Sequence, residues 1–162
     1  MRDAEKGASS IAVSEVGQRQ PKLRLDDFLP YRAARLATGL SAGLGARYKS
    51  RFGLSVAEWR VMVHLTQESE ISIRDIFNRV DMDRVRVSRA VQRLEGRGLV
   101  SKRVNETDRR LIRLALTNSG WEMADAVSQI ANAFEAELLA SVKDGTARLL
   151  LKGFDALEQA LK

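Results

Sequence analysis

From residue 30 onward, apolar positions recur every three or four residues, so the chain reads as a series of amphipathic helices interrupted once by strands. Tyr31, Ala34, Leu36, Ala37, Leu40, Leu44 and Tyr48 predict a first helix beginning near Pro30, a residue suited to a first turn, and running to about Arg51. Phe52-Gly53 then offers a left-handed stop. Ser55 with Glu58 three positions later predicts a capping box, and Trp59, Val61, Met62 and Leu65 supply the apolar side of a second helix. Ser72 and Asp75 repeat that spacing for a third helix, with Ile73, Ile76, Phe77 and Val80 directed inward. Asp83 caps a fourth, which ends at Gly98.

After Gly98 the period changes. Leu99-Val100-Ser101-Lys102-Arg103-Val104 and Leu111-Ile112-Arg113-Leu114-Ala115-Leu116 flank the polar turn Asn105-Glu106-Thr107-Asp108, the pattern of a β-hairpin. Thr117 then caps a long helix through Trp121, Met123, Val127, Ile130, Phe134 and Leu138. A last helix, about 146–161, carries Leu149, Leu150, Phe154, Leu157 and Leu161 at helical spacing. Residues 1–24 hold no sustained period and are rich in Ser, Gly, Gln and charge, as expected of a mobile tail. The expected fold is mainly α with one small β-hairpin.

The segment from Ser72 to Gly98 has the helix-turn-helix layout: two capped helices, the first short, joined through Val80-Asp81-Met82. Wound at about 100° per residue, the second helix gathers Val87, Ala90, Val91 and Leu94 into an apolar wall. Val85, Arg89 and Gln92 lie opposite, flanked by Arg86, Ser88 and Arg93. Such a helix fits the major groove of duplex DNA, and its N-terminal half normally reaches the bases. Arg86, Ser88 and Arg89 are therefore the candidates for bases or adjacent phosphates, and Arg84 and Arg93 for the backbone. At the hairpin tip, Asp108, Arg109 and Arg110 fall beside this helix, where the two cations can enter the neighbouring minor groove. Asp108 is the odd member against phosphate, and is best read as fixing the turn and orienting an arginine.

Charge sharpens this picture. The chain of 162 residues carries a net charge of +6, and residues 72–113 alone hold 12 Lys and Arg against 6 Asp and Glu, 11 of those cations being arginine. Arginine's planar fork suits phosphate and guanine edges. A solvated charged face would look the same by charge alone. Composition also removes alternatives. The absence of cysteine excludes disulfides, thiolate nucleophiles and cysteine redox sensing, and a single histidine disfavours a His/Cys metal site. No cofactor is expected. No apolar run spans a bilayer and no secretory h-region opens the chain, so no membrane partner and a cytoplasmic location are expected. No glycine-rich phosphate loop or G-x-S-x-G elbow supports an enzymatic reading.

Several strings resemble regulators of the MarR (multiple antibiotic resistance regulator) family. They are Leu54-Ser55 through Glu58-Trp59-Arg60-Val61, Met82-Asp83 through Val87-Ser88-Arg89-Ala90-Val91, and Leu94-Glu95 with Gly98-Leu99-Val100. Asp108-Arg109-Arg110 and Leu114-Ala115-Leu116-Thr117 with Gly120 extend the similarity, which runs from about Tyr31 to the C-terminus. The resemblance implies one domain over 25–162, with a winged helix-turn-helix at about 55–116 and dimerisation helices at about 29–51 and 117–162. It implies a homodimer on double-stranded DNA with a pseudo-palindromic operator, acting as a repressor released by a small phenolic or aromatic acid. Tyr31, Arg35, Trp59, Met62 and His64 are candidates by position for lining the effector site. Arg35 is a candidate partner for an anion on the argument that a lone cation near an apolar cleft is costly. Trp59 and Met62 equally suit a core, Tyr31 and Arg35 an interface, and His64 a hydrogen-bonded, partly buried site. The competing functional reading is a winged-helix protein-interaction or architectural module without its own operator, although such a face should be richer in exposed apolar residues.

Overall fold

The computed structural model describes residues 23–68, 70–80, 82–104, 112–143 and 145–162. A short 3-10 turn at Leu25–Asp27 leads to helices α1 (Leu29–Phe52) and α2 (Val56–Leu65). Strand β1 (Ile71–Ser72) and helices α3 (Ile73–Arg79) and α4 (Arg84–Gly96) follow, then strands β2 (Val100–Val104) and β3 (Ile112–Leu116) and helices α5 (Asn118–Ala140) and α6 (Thr146–Ala160). The fold is thus mainly helical with a small antiparallel sheet. Contacts divide the chain into residues 1–36 and 37–162. In the first unit every described residue is exposed, and Arg24 and Asp27 form an ion pair of 3.2 Å.

In the second unit the predicted caps are present. The Ser55 side chain accepts from the Glu58 N–H, and the Glu58 carboxylate accepts from the Ser55 N–H at 2.7 Å, a complete capping box. Asp83 Oδ1 accepts from the Arg86 N–H at 2.8 Å, and Thr117 Oγ1 from the Gly120 N–H at 3.0 Å. At Ser72 the box is incomplete. Its hydroxyl accepts from the Asp75 N–H, but Asp75 Oδ2 takes the Ser72 hydroxyl proton rather than a backbone one. Aspartate is one methylene shorter than the glutamate that closes such a box.

Val87, Ala90, Val91 and Leu94 of α4 are all buried, forming one cluster with Val61, Met62 and Leu65 of α2, Ile76 of α3, Leu114 and Leu116 of β3, and Val127 of α5. The wall expected from periodicity is therefore the side by which α4 seats. Leu94→Ala should remove about 2–5 kcal/mol of stability, because the neighbouring helices cannot fully collapse onto the gap. Urea denaturation at neutral pH measures it, and an unchanged midpoint would contradict this seating.

The sheet departs from the expected hairpin by one strand. Its order is β1-β3-β2, with Ile71 opposite Leu114 and Ser72 opposite Arg113. Two residues are too few to show a period, and Ser72 serves as both strand residue and helix cap. Pairing of β2 with β3 sets Val100 against Leu116 and Lys102 against Leu114, so the buried Val100, Leu114 and Leu116 share the inner face.

α4 hands over to β2 through a Schellman motif. Gly98 has φ of 70°, its N–H bonds Glu95 O at 2.8 Å, and the Leu99 N–H bonds Leu94 O at 2.9 Å. The Leu99 carbonyl then accepts from the Thr117 N–H at 3.1 Å, and the Thr117 hydroxyl donates to Gly98 O at 2.6 Å. This junction ties the end of α4 to the start of α5. No described helix is long and apolar enough to cross a membrane.

Candidate nucleic-acid interface

With its wall buried, α4 presents Arg84, Val85, Arg86, Ser88, Arg89, Gln92 and Arg93 outward, all exposed. The caps orient this face without consuming it. Asp83 spends one carboxylate oxygen on the Arg86 N–H and leaves the Arg86 side chain only a long contact, 3.9 Å from Nε. The Arg84 guanidinium lies over the Phe77 ring at 5.7 Å from its centroid, which holds it toward α3. The face is a solvated cluster of guanidinium donors on a rigid, capped helix, suited to anionic and base-edge acceptors.

Arg93 differs from the others. Its Nε donates to Glu58 Oε1 at 3.2 Å, and Glu58 is only 4% exposed. A buried carboxylate is costly unless its lone pairs are satisfied. Here Ser55 N–H, Ser55 hydroxyl and Arg93 all donate to it. Burial raises the Glu58 carboxyl, and the Ser55 hydrogen bonds and the Arg93 charge outweigh that effect, leaving its pKa below the ordinary value. In the sequence, Glu58 is legible only as a cap and Arg93 only as a backbone candidate. Their pairing across 35 positions of chain has no local signal.

The unfolded chain takes up a proton at Glu58 first, so the contribution is present above the ordinary carboxylate range and is lost as pH falls through the lowered value. Glu58→Gln should therefore flatten the decline in urea midpoint below about pH 5 relative to the unaltered chain. Parallel pH profiles would remove Glu58 from this role.

The sheet adds basic groups beside α4. Arg103 and Arg113 stand opposite each other on β2 and β3, an unfavourable pairing of like charges, with Glu70 3.8 Å from Arg113. Lys102 is paired with Glu95 of α4, which fastens the base of the hairpin to that helix. Asp108, Arg109 and Arg110, and the Asn105-Glu106-Thr107 turn, lie outside the described residues.

Trp59 and Met62 are buried in the core, with the Trp59 ring 6.0 Å from Tyr48. His64 is half-buried on α2, and burial, with the Arg79 charge adding, pushes its pKa below the usual histidine value. Tyr31 and Arg35 are exposed in the first unit, the guanidinium lying 5.8 Å from the ring centroid. Asp26 Oδ1 stands 3.9 Å from Arg35 Nη1. Arg35 is thus a solvated cation with a nearby counter-charge, which corrects the premise that it is isolated.

The MarR family profile matches residues 52–111, the stretch that contains α2, α3, α4 and β2. The chain is 29% identical over 113 residues to YdgJ, an HTH-type transcriptional regulator of Bacillus subtilis (strain 168), covering 70% of this chain and 69% of that protein. Among solved structures, a MarR family transcriptional regulator from Silicibacter pomeroyi DSS-3 superposes with a TM-score of 0.75 and 26% identity, over 86% of this chain and 99% of that one. CouR from Rhodococcus jostii RHA1, solved bound to p-coumaroyl-CoA, superposes with a TM-score of 0.69 and 20% identity, over 83% and 94% of the two chains. A capped helix with an arginine face, an adjoining hairpin and these matches together make the chain similar to the MarR family of DNA-binding transcription regulators, whose family model covers residues 52–111.

Proposed function

We propose that the chain works as a homodimeric repressor that sets the outward face of α4 into successive major grooves of a pseudo-palindromic operator. The observation carrying this reading is the segregation of α4: four buried apolar residues on one side and five exposed arginine or serine candidates (Arg84, Arg86, Ser88, Arg89 and Arg93) on the other. Arg86, Ser88 and Arg89 read bases or neighbouring phosphates, and Arg84 and Arg93 hold the backbone. Arg109 and Arg110 make the minor-groove contact, and Asp108 orients an arginine beside them. Exposed Leu149, Leu150, Phe154 and Leu157 on α6, with Leu161 just after it, support a self-association role for that helix.

Affinity for duplex DNA should fall steeply with salt, because each neutralised phosphate releases condensed counterions. Titration of labelled duplex at rising potassium chloride measures the slope. A flat response would favour the protein-interaction reading. Footprinting should show two half-sites about one helical turn, or a multiple, apart.

For regulation, an aromatic or phenolic acid is the proposed effector class, supported by the coumaroyl thioester held by the CouR neighbour. The chain's own residues add less here, since Trp59 and Met62 are core residues. Titrating the protein–DNA complex with aromatic acids tests this. Release at micromolar to millimolar concentration is expected, and an unaffected complex across the series would set the effector class aside.

A further inference from the structure

The outward side of α4 contains one apolar residue among arginines and polar groups: Val85, 59% exposed. Its place is not peripheral. At about 100° per residue it falls opposite the Val87 end of the buried wall, in line with Arg89 one turn later and with Gln92. It belongs to the first turn, immediately after the Asp83 cap, so its backbone is fixed by the Asp83–Arg86 hydrogen bond. A β-branched side chain has essentially one χ1 rotamer in a helix. Val85 is therefore a rigid apolar knob at the centre of the face, in the half of the helix that enters deepest into a groove.

The edges that bases present in the major groove are hydrogen-bond donors and acceptors, with a single apolar exception, the C5-methyl group of thymine. Against a guanine, adenine or cytosine edge, Val85 would desolvate polar atoms and return no hydrogen bond to them. Against a thymine methyl it buries apolar surface on both sides. The neighbours Arg86 and Arg89 supply bidentate donors to adjacent positions, and Val85 supplies none.

We propose that Val85 is a specificity residue that recognises the 5-methyl group of one thymine in each half-site. The inference rests on α4 being the DNA-reading helix, and it goes beyond that reading by naming a base and an atom. The role requires exposure in the free protein, which the structure shows, and it leaves Val85 outside the folded core.

The test uses the full-length protein and a duplex selected by it from a random-sequence library. Each thymine of the selected half-site is replaced in turn by deoxyuridine, which keeps pairing and removes only the methyl group. One position per half-site should weaken binding about fourfold, the effect of roughly one buried methylene-sized group. With Val85→Ala, the same replacement should cost nothing further, while the melting temperature stays that of the unaltered chain. Val85→Thr keeps the shape and should retain part of the effect. If selection succeeds but no uridine position is sensitive, or the sensitive position stays sensitive in Val85→Ala, the Val85 assignment is overturned while DNA reading by α4 stands. If selection enriches no sequence, the underlying reading fails and takes the assignment with it.

Discussion

Gly120→Ala should cost about 3 kcal/mol of stability, the upper part of the range for forcing extra volume into a packed site. For a chain of this size that is a fall of about 10 °C in melting temperature. Gly120 lies in the first turn of α5, directly over the strand that leaves α4. A methyl group built there would lie 2.0 Å from the Leu99 carbonyl oxygen and 3.2 Å from a Leu116 methyl. Neither neighbour can yield cheaply. The Leu99 carbonyl accepts the Thr117 N–H, and its own N–H completes the Schellman turn of α4. Leu116 is paired with Val100 in the sheet. The substitution therefore pushes the start of α5 away from the end of α4, and both caps at that junction loosen. Differential scanning calorimetry measures the loss, and a melting temperature within a degree of the unaltered chain would contradict the close packing described. A glycine three residues after a capping threonine thus has a mechanical reason in this chain.

The second large effect concerns recognition. Replacing Arg86 and Arg89 together with alanine should weaken binding to a selected duplex by about 30-fold or more, since a well-placed bidentate contact contributes about 1–3 kcal/mol of discrimination. Binding to unrelated duplex should fall much less, because α4 and the sheet retain other cations. Stability should hardly move. Both side chains are exposed, and Arg86 has only the 3.9 Å contact with Asp83 to lose. A drop in melting temperature matching the loss of affinity would mean that the arginines act through folding. An equal loss on selected and unrelated duplex would assign them to phosphates alone.

How much of this was legible in the sequence depends on how local each cause is. Caps are local, so Ser55, Asp83 and Thr117 predicted where α2, α4 and α5 begin. The buried side of α4 follows from the 3.6-residue period, and all four expected wall residues are buried. Contacts between distant segments left no such trace. The Glu58–Arg93 pair joins two helices that only the packed core brings together. Strand β1 exists because Ile71 meets Leu114 in the sheet, not because Ile71-Ser72 has a strand pattern. Arg35 looked isolated because its neighbour Asp26 sits before the helix, outside the helical period that placed the other residues. The family strings carried most where they coincide with geometry: the Gly98-Leu99 and Thr117-x-x-Gly120 spacings are the two halves of the α4–α5 junction.

The outward side of α4 lying against base edges is the claim on which the rest depends. A photo-reactive amino acid placed at Ser88, exposed on α4, should crosslink to bases of a selected duplex on irradiation. The same group at Leu149, 71% exposed on α6, should not. Crosslinks from position 88 that map to the centre of each protected half-site are the predicted result. Efficient crosslinking from position 149 with none from position 88 would contradict the account.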